Sequence, residues 1–287
     1  MTYYLTVATS IAIVLIGVLG THLITGMNGL FSLGQAAFMG LGAYTSAILV
    51  VTLNVPFPIA VVISIVFTVL VAFLVGFATL RIRQDFFALA TFGFGQAMIG
   101  LFTELVQLTG GSMGFINIPR NTTPTLVFVS LAVCIFIVWG IRRSHFGRDS
   151  LAIRGNEMAA KTSGIDIFRH KMVIFLISSA LAAYAGVLLA FYNRYIDSNS
   201  FGWMISVTWI IIVFFGGRDS LFGTMVGGII LLALPEVLRF AAEWRITLYC
   251  ITILFIINVM PKGLFGSIKI PRKLWDRLFV KKPEKVN

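Results

Sequence analysis

The chain reads as an all-α protein, a polytopic bundle of transmembrane helices, and three observations predict it. Hydrophobic residues make up 58% of the 287 residues, charged residues 11%, and mean hydropathy is +0.96. Ordinary globular domains carry about twice that share of charge. Apolar runs long enough to cross the roughly 30 Å hydrocarbon core of a bilayer recur along almost the whole length. Those runs lack the strict polar/apolar alternation of a membrane β-barrel. No soluble domain fits between them, so one membrane domain over 1–261 and a basic tail over 262–287 are expected.

The expected spans are 5–24, 30–53, 58–80, 86–107, 124–141, 171–192, 204–216, 220–241 and 245–260. No basic residue precedes the first, so it reads as a retained span and not as a cleaved signal peptide. The second is either a plain crossing or a broken one. It follows Gly26-Met-Asn-Gly-Leu-Phe-Ser-Leu-Gly-Gln35, a run rich in glycine and amides. Irregular backbone at membrane depth is tolerated only where it is buried in protein or lines a cavity. That makes Asn28, Ser32 and Gln35 candidates for a solute path, as in transporters built on interrupted helices. A tight turn between spans, with Gly29 as helix stop, accounts for the same residues. Thr91 and Gln96, two polar residues of the fourth span, are further path candidates. Thr109-Gly-Gly-Ser-Met-Gly114 is a second irregular stretch of this kind or simply a flexible loop.

Between the fifth and sixth spans the polar segment 142–170 carries helix signals of its own. Asn156 is placed to act as N-cap, Glu157 puts negative charge in the first turn, and Gly164 suits the left-handed C′ position. Asp166 is then placed to cap the helix that re-enters the membrane around Lys171. A capped helix over 157–163 with small residues, Ala159 and Ala160, has a shape suited to a groove on another protein. A solvated loop that joins two spans is the plainer reading.

The span 204–216 is the shortest and runs directly into Gly216-Gly-Arg-Asp219. Gly217–Gly223 echoes Gly29–Gly34 with one residue inserted, for which coincidence is the simpler explanation in a chain rich in Gly, Leu and Phe. In the next span Glu236 follows Pro235, and Arg239 one turn on suggests an i, i+3 pair.

Formal net charge is +11 and is clustered. Arg81 and Arg83 form one group, Arg142 to Lys171 a second, and Lys262 to Lys285 a third. Positive-inside bias places all three on the cytoplasmic face, which requires nine crossings, an outer N-terminus and a cytoplasmic C-terminus. The tail is either solvated or laid along anionic lipid, and charge that flanks spans argues against nucleic acid as a partner. Cys134 and Cys250 fall inside apolar spans and imply neither a disulfide framework nor a metal site. His22, His145 and His170 are too scattered for a legible metal or proton relay. No P-loop or H-E-x-x-H pattern occurs, and Gly110-Gly-Ser-Met-Gly114 matches G-x-S-x-G only as a string between apolar spans, without the strand a nucleophile elbow needs, so neither ATP hydrolysis nor another catalytic activity, and no cofactor, is expected. Small residues at helix-packing spacing (Ser32/Ala36/Gly40, Gly93/Ala97, Ala182/Gly186, Gly223/Gly227) serve packing within the chain or against a membrane partner.

Four segments together resemble the permease subunits of branched-chain amino acid ABC importers. Asn28–Tyr44 resembles the family's early span. Phe87–Gly95, with Thr109-Gly-Gly and Ile118-Pro-Arg120, is similar to the second type of permease in the usual pair. Gly147-Arg-Asp-Ser-Leu-Ala-Ile-Arg-Gly-Asn-Glu-Met-Ala-Ala-Lys-Thr-Ser-Gly164 is similar to the cytoplasmic coupling loop, and Gly216–Gly228 to a later Gly-rich loop and span. The resemblance implies a multi-pass protein of a bacterial-type inner membrane. It would work with a second permease subunit, two ATP-binding subunits and an extracytoplasmic solute-binding protein. It implies an ATPase-coupling loop carried by Gly147, Arg148, Ala152, Asn156, Glu157, Ala159, Ala160 and Gly164, with the helix at 157–163 seated in a groove of the ATPase. The implied cargo is leucine, isoleucine or valine, moved by alternating access. Urea or an amide is the alternative cargo, and a stand-alone carrier or channel the alternative machine. The loop departs from the family's usual pattern at Gly155 and Lys161, and Gly155 would loosen a joint between two short helices.

Overall fold

The computed structural model of the protein describes residues 2–82, 84–237 and 263. Helix α1 (Thr2–Thr21) widens into a π-helical turn, His22–Met27, and the chain then runs irregularly over 28–34. Helices α2 (Gln35–Val51), α3 (Phe57–Thr79) and α4 (Gln84–Glu104) follow, with a single turn, α5 (Val106–Thr109), at the end of α4. Then come α6 (Pro124–Arg143), the short α7 (His145–Gly155) and α8 (Glu157–Thr162), the long α9 (Ile167–Asn193), α10 (Trp203–Gly216) and α11 (Leu221–Val237). Among the described residues the sole β pairing is an isolated bridge between Phe115 and Ile196.

Among the described residues six helical segments are long and apolar enough to span a membrane, and α2 and α11 are shorter apolar helices. The expected ninth crossing, 245–260, lies outside the described residues, as do Cys250, Arg239 and, apart from Gly263, the tail 262–287. The segment expected at 204–216 is extended at its start by a 3-10 turn, so that Ser198–Gly216 forms one apolar unit of 19 residues.

Helix α9 is the axis of the bundle and packs against α1, α2 and α3. Small residues let the backbones close in, as a bilayer gives apolar helices no solvent-driven reason to associate. A Cβ at Gly186 would strike the Met39 carbonyl, and one at Gly42 the backbone of Ala183, so α2 and α9 are in backbone contact. Ser178 on α9 donates to the Gly20 carbonyl on α1 at 2.8 Å. Gly223 and Gly227 lie against Gly216, which closes α10 on α11. These stripes work within the chain. Gly93 does not, since a Cβ there would meet nothing. The outer faces of α3 and α6 are apolar and exposed, with Val66, Leu70 and Leu74 on one and Val129, Val133 and Phe136 on the other.

The second span is broken. Residues 28–34 are packed against α4, where Leu33 N–H donates to Thr91 Oγ1 at 3.1 Å. Thr91 is seven residues into α4, roughly 10 Å along that helix from its start. The first free amide of α2, Ala36 N–H, donates to Ser206 Oγ on α10 at 2.9 Å. Thr25 Oγ1 donates to the Leu30 carbonyl at 2.9 Å, and Leu30 N–H to Ile24 O at 3.0 Å. Side chains from α4, α10 and the π turn thus satisfy backbone groups that lipid would leave unpaired.

Candidate functional site

The polar hairpin formed by α7 and α8 is fixed by local chemistry. Ser144 Oγ accepts from Gly147 N–H at 3.2 Å and starts α7. Asn156 Oδ1 accepts from Met158 and Ala159 N–H at 3.0 and 3.1 Å and starts α8, as its position in the sequence predicts. Gly164 ends α8 at φ +85°, and Asp166 Oδ1 accepts from Arg169 N–H at 3.1 Å to begin α9. The hairpin is tied to α9 at two points. Glu157 of α8 pairs with Lys171 at 2.5 Å, and Asp149 of α7 faces His170 at 3.5 Å. Phe146 stacks on the His170 ring with centroids 4.6 Å apart.

The expected coupling residues divide between two faces. Arg148, Ala152, Asn156, Glu157, Ala159 and Gly164 are exposed. Gly147 is buried against the last carbonyls of α6, and Ala160 is 4% exposed. The pairing of Ala159 with Ala160 on one small-residue face therefore fails, because successive helical residues lie about 100° apart. Met158, 75% exposed, is the large apolar side chain of the outer face. Sequence reasoning passed over it, although its place beside Asn156 marked it as a first-turn residue.

The path candidates also divide. Asn28, Ser32, Gln35 and Thr91 are fully or almost fully buried, whereas Gln96 lies on the exposed side of α4 with Gly93, Ala97 and Gly100. Thr91 holds the broken segment by its bond from Leu33. Gln35 Nε2 lies 3.5 Å from Ser32 Oγ, at the limit of a hydrogen bond. Asn28 Oδ1, Asn28 Nδ2 and Gln35 Oε1 have no partner among the described residues. Each such buried group costs about 1–3 kcal/mol. They are held inside a π-interrupted span, a place where functional sites concentrate. Buried His22 in the π turn was not legible as a polar site in the sequence: its Nδ1 lies 2.8 Å from Thr224 Oγ1, 202 residues away, and its Nε2 is unpartnered among the described residues.

Hairpin and broken span meet at Arg154, in the last turn of α7. Its guanidinium donates to the Gly26 carbonyl in the π turn and to the Asp219 carboxylate in the α10–α11 loop. Arg142 donates to the Asp219 main-chain carbonyl. The Arg154 stem fills the space where Gly29, at φ +74°, would carry a Cβ, only 2.8 Å from Arg154 Cγ. Burial opposes the Asp219 charge. The hydrogen bond and charge of Arg154, with Arg218 and Arg142 nearby, outweigh it and hold the carboxyl below its ordinary range. The two echoed segments, at Gly29 and Gly217, thus face one another across a single arginine.

At the opposite end, the stretch 109–114 is ordered. Thr109 Oγ1 donates to the Leu105 carbonyl at 2.8 Å and accepts from Gly111 N–H at 3.2 Å. Phe115 and Ile196 exchange backbone bonds of 2.8 and 3.2 Å just beyond it. A cavity of about 420 Å³ lies nearby, lined by Tyr44, Thr45, Ile48, Phe67, Met98 and Phe102 among others. It carries no charged group and is remote from Asn28 and Arg154. Glu236 accepts from the Tyr3 hydroxyl, which ties α11 to the start of α1. Among the described residues no group of three or more His, Cys, Asp or Glu side chains is arranged to hold a metal.

Comparison with known proteins agrees with this architecture. A family model described as the permease component of branched-chain amino acid transport systems matches residues 3–259. The chain is 27% identical to the high-affinity branched-chain amino acid transport system permease protein LivM of Escherichia coli (strain K12), over 93% of this chain and 71% of that protein. It is 26% identical to LivM of Salmonella typhimurium, with the same coverage. It is 33% identical to the permease protein LivH of Escherichia coli over 50% of this chain and 45% of that one. No solved structure matches.

Proposed function

The chain belongs to the permease-component family of branched-chain amino acid transport systems, and on that premise we propose that it is the non-catalytic membrane half of an ABC importer for branched-chain amino acids. It is a multi-pass protein of the inner membrane, and the basic end with α7 and α8 is its cytoplasmic face, with the N-terminus outside and the tail 262–287 inside. Its partners are a second permease, two ATP-binding subunits and an extracytoplasmic solute-binding protein. The observation that carries this reading is the capped hairpin, tied to α9 by Glu157–Lys171 and to the broken span by Arg154.

In the cycle, the exposed side of α8 (Met158, Ala159) with Arg148 and Ala152 of α7 seats in a groove of an ATPase subunit. Nucleotide-driven closure of the ATPases moves the hairpin, and the bundle rocks between outward and inward openings. Asn28, Ser32 and Gln35 line the route on the cytoplasmic side, where unpartnered amide atoms are available to a zwitterion's ammonium and carboxylate. Gln96 lies on a face left open by the described residues, and an amide inside a span needs a hydrogen-bonding neighbour. The second permease, or solute passing between the two, supplies it.

The test is purification of the tagged chain in mild detergent with its neighbouring gene products co-expressed. Recovery with ATPases and a second permease, lost in Ala159→Arg while membrane insertion persists, is the expected result. A chain recovered alone that still carries solute flux in vesicles contradicts the reading. Uptake of urea or an amide in place of leucine by the assembled complex would keep the machine and change the cargo.

A further inference from the structure

Arg154, in the last turn of α7, bonds to both the π turn and the α10–α11 loop. The three contacts differ in kind. The Gly26 carbonyl belongs to a π turn, whose wider i, i+5 bonding leaves end carbonyls open to outside donors. The Asp219 carboxylate sits in the four-residue loop 217–220, and Arg142 braces that loop by donating to the Asp219 carbonyl. The aliphatic stem lies on Gly29, where neither the space nor the positive φ admits a side chain. Gly26 in turn packs on the Arg218 carbonyl, since a Cβ there would lie 3.2 Å from it. The π turn, the irregular segment 28–34 and the 217–220 loop are therefore clamped around one guanidinium. A planar fork with several donors in fixed geometry suits this task in a way that a lysine's single ammonium does not.

Asn28 begins one residue beyond the π turn. Any shift of α7 that carries Arg154 with it must pull the Gly26 carbonyl or break the bond to it. We propose that Arg154 is a positioning residue of the transport cycle. It delivers the displacement of the α7–α8 hairpin to the broken span that carries Asn28, and it keeps the α10–α11 loop in step through Asp219. This inference rests on the reading that the hairpin docks on ATPase subunits, and it adds the route by which that movement reaches the solute path.

The experiment uses the complete complex, reconstituted in vesicles with the binding protein and leucine, and reads solute moved per ATP hydrolysed. Arg154→Met keeps the stem that packs on Gly29 and removes the fork. The expected outcome is normal recovery of ATPase subunits with ATP hydrolysis retained, while solute per ATP falls at least about tenfold, as loss of a coupling free energy between two sites would produce. Arg154→Lys should restore only a minor part of that ratio. Asp219→Asn, which leaves Arg154 and its bond to Gly26 in place, should lower the ratio less, by about threefold, and serves if Arg154→Met fails to insert. A merely structural arginine would lower protein yield, ATP hydrolysis and uptake together and leave the ratio unchanged. Wild-type solute per ATP in Arg154→Met, or in Asp219→Asn where only that variant inserts, overturns the proposal. Failure of the docking reading looks different: the ATPases would be absent from the wild-type preparation.

Discussion

Lys171 on α9, 7% exposed, makes its ion pair at 2.5 Å with Glu157, the first residue of α8. The two partners differ in their access to water, and removal of one is not equivalent to removal of the other. Glu157→Gln leaves an ammonium buried without its counter-charge and should cost about 1–3 kcal/mol. Lys171→Met leaves a half-exposed carboxylate that water solvates and should cost clearly less. Thermal unfolding of the two variants in the same detergent checks the order; equal losses would mean that the pair contributes by packing alone.

The link between Arg154 and Asp219 should respond to acid in a defined direction. The Asp219 carboxyl is held below its ordinary range, so its contribution is present above the unfolded-state value and is lost as pH falls through the lowered one. Stability attributable to the pair is thus flat from neutral pH down to about 4, the ordinary aspartate value, and falls below it. Asp219→Asn should remove that acid-side step. Because the Asp219 side chain is 59% exposed, the effect is also weakened by salt.

Two glycines of the hairpin should answer oppositely to alanine. Gly155 has open space at its Cβ and no positive φ, so Gly155→Ala should be neutral or stabilising by up to about 1 kcal/mol. Gly164 sits at φ +85°, and Gly164→Ala should cost about 1–2 kcal/mol. Circular dichroism melts of the purified chain distinguish them. The glycine at 155 is therefore not demanded by geometry, and a stiffer joint should leave the hairpin's form intact.

Gly186→Leu should prevent folding, because the Met39 carbonyl occupies the site of any side chain; the loss is at least about 3 kcal/mol and should appear as failure to elute as a single species. Gly93→Leu should leave the isolated chain within about 0.5 kcal/mol of wild type, since no described residue lies within 4 Å of a Cβ at that position. A defect in Gly93→Leu should therefore appear first in recovery of the second permease. Loss of the isolated chain's own fold would show that this face is used internally.

Much of this protein was decided locally. Hydrocarbon-length apolar runs set an all-helical membrane bundle, since lipid cannot satisfy open backbone, and capping side chains at Asn156 and Asp166 with a left-handed glycine at 164 set the hairpin boundaries within one residue. Such features act over three or four residues and are written in the sequence itself. What the tertiary structure decided is everything that depends on distant residues meeting. It tied 28–34 and the start of α2 to α4 and α10, through Thr91 and Ser206, and it placed Ala160 and Gly147 inward and Gln96 outward. It set His22 beside Thr224, and it brought Gly26, Gly29 and Asp219 around Arg154. No local spacing encodes those meetings, because each is fixed by helix packing across the bundle, where a glycine's missing side chain determines which backbones touch.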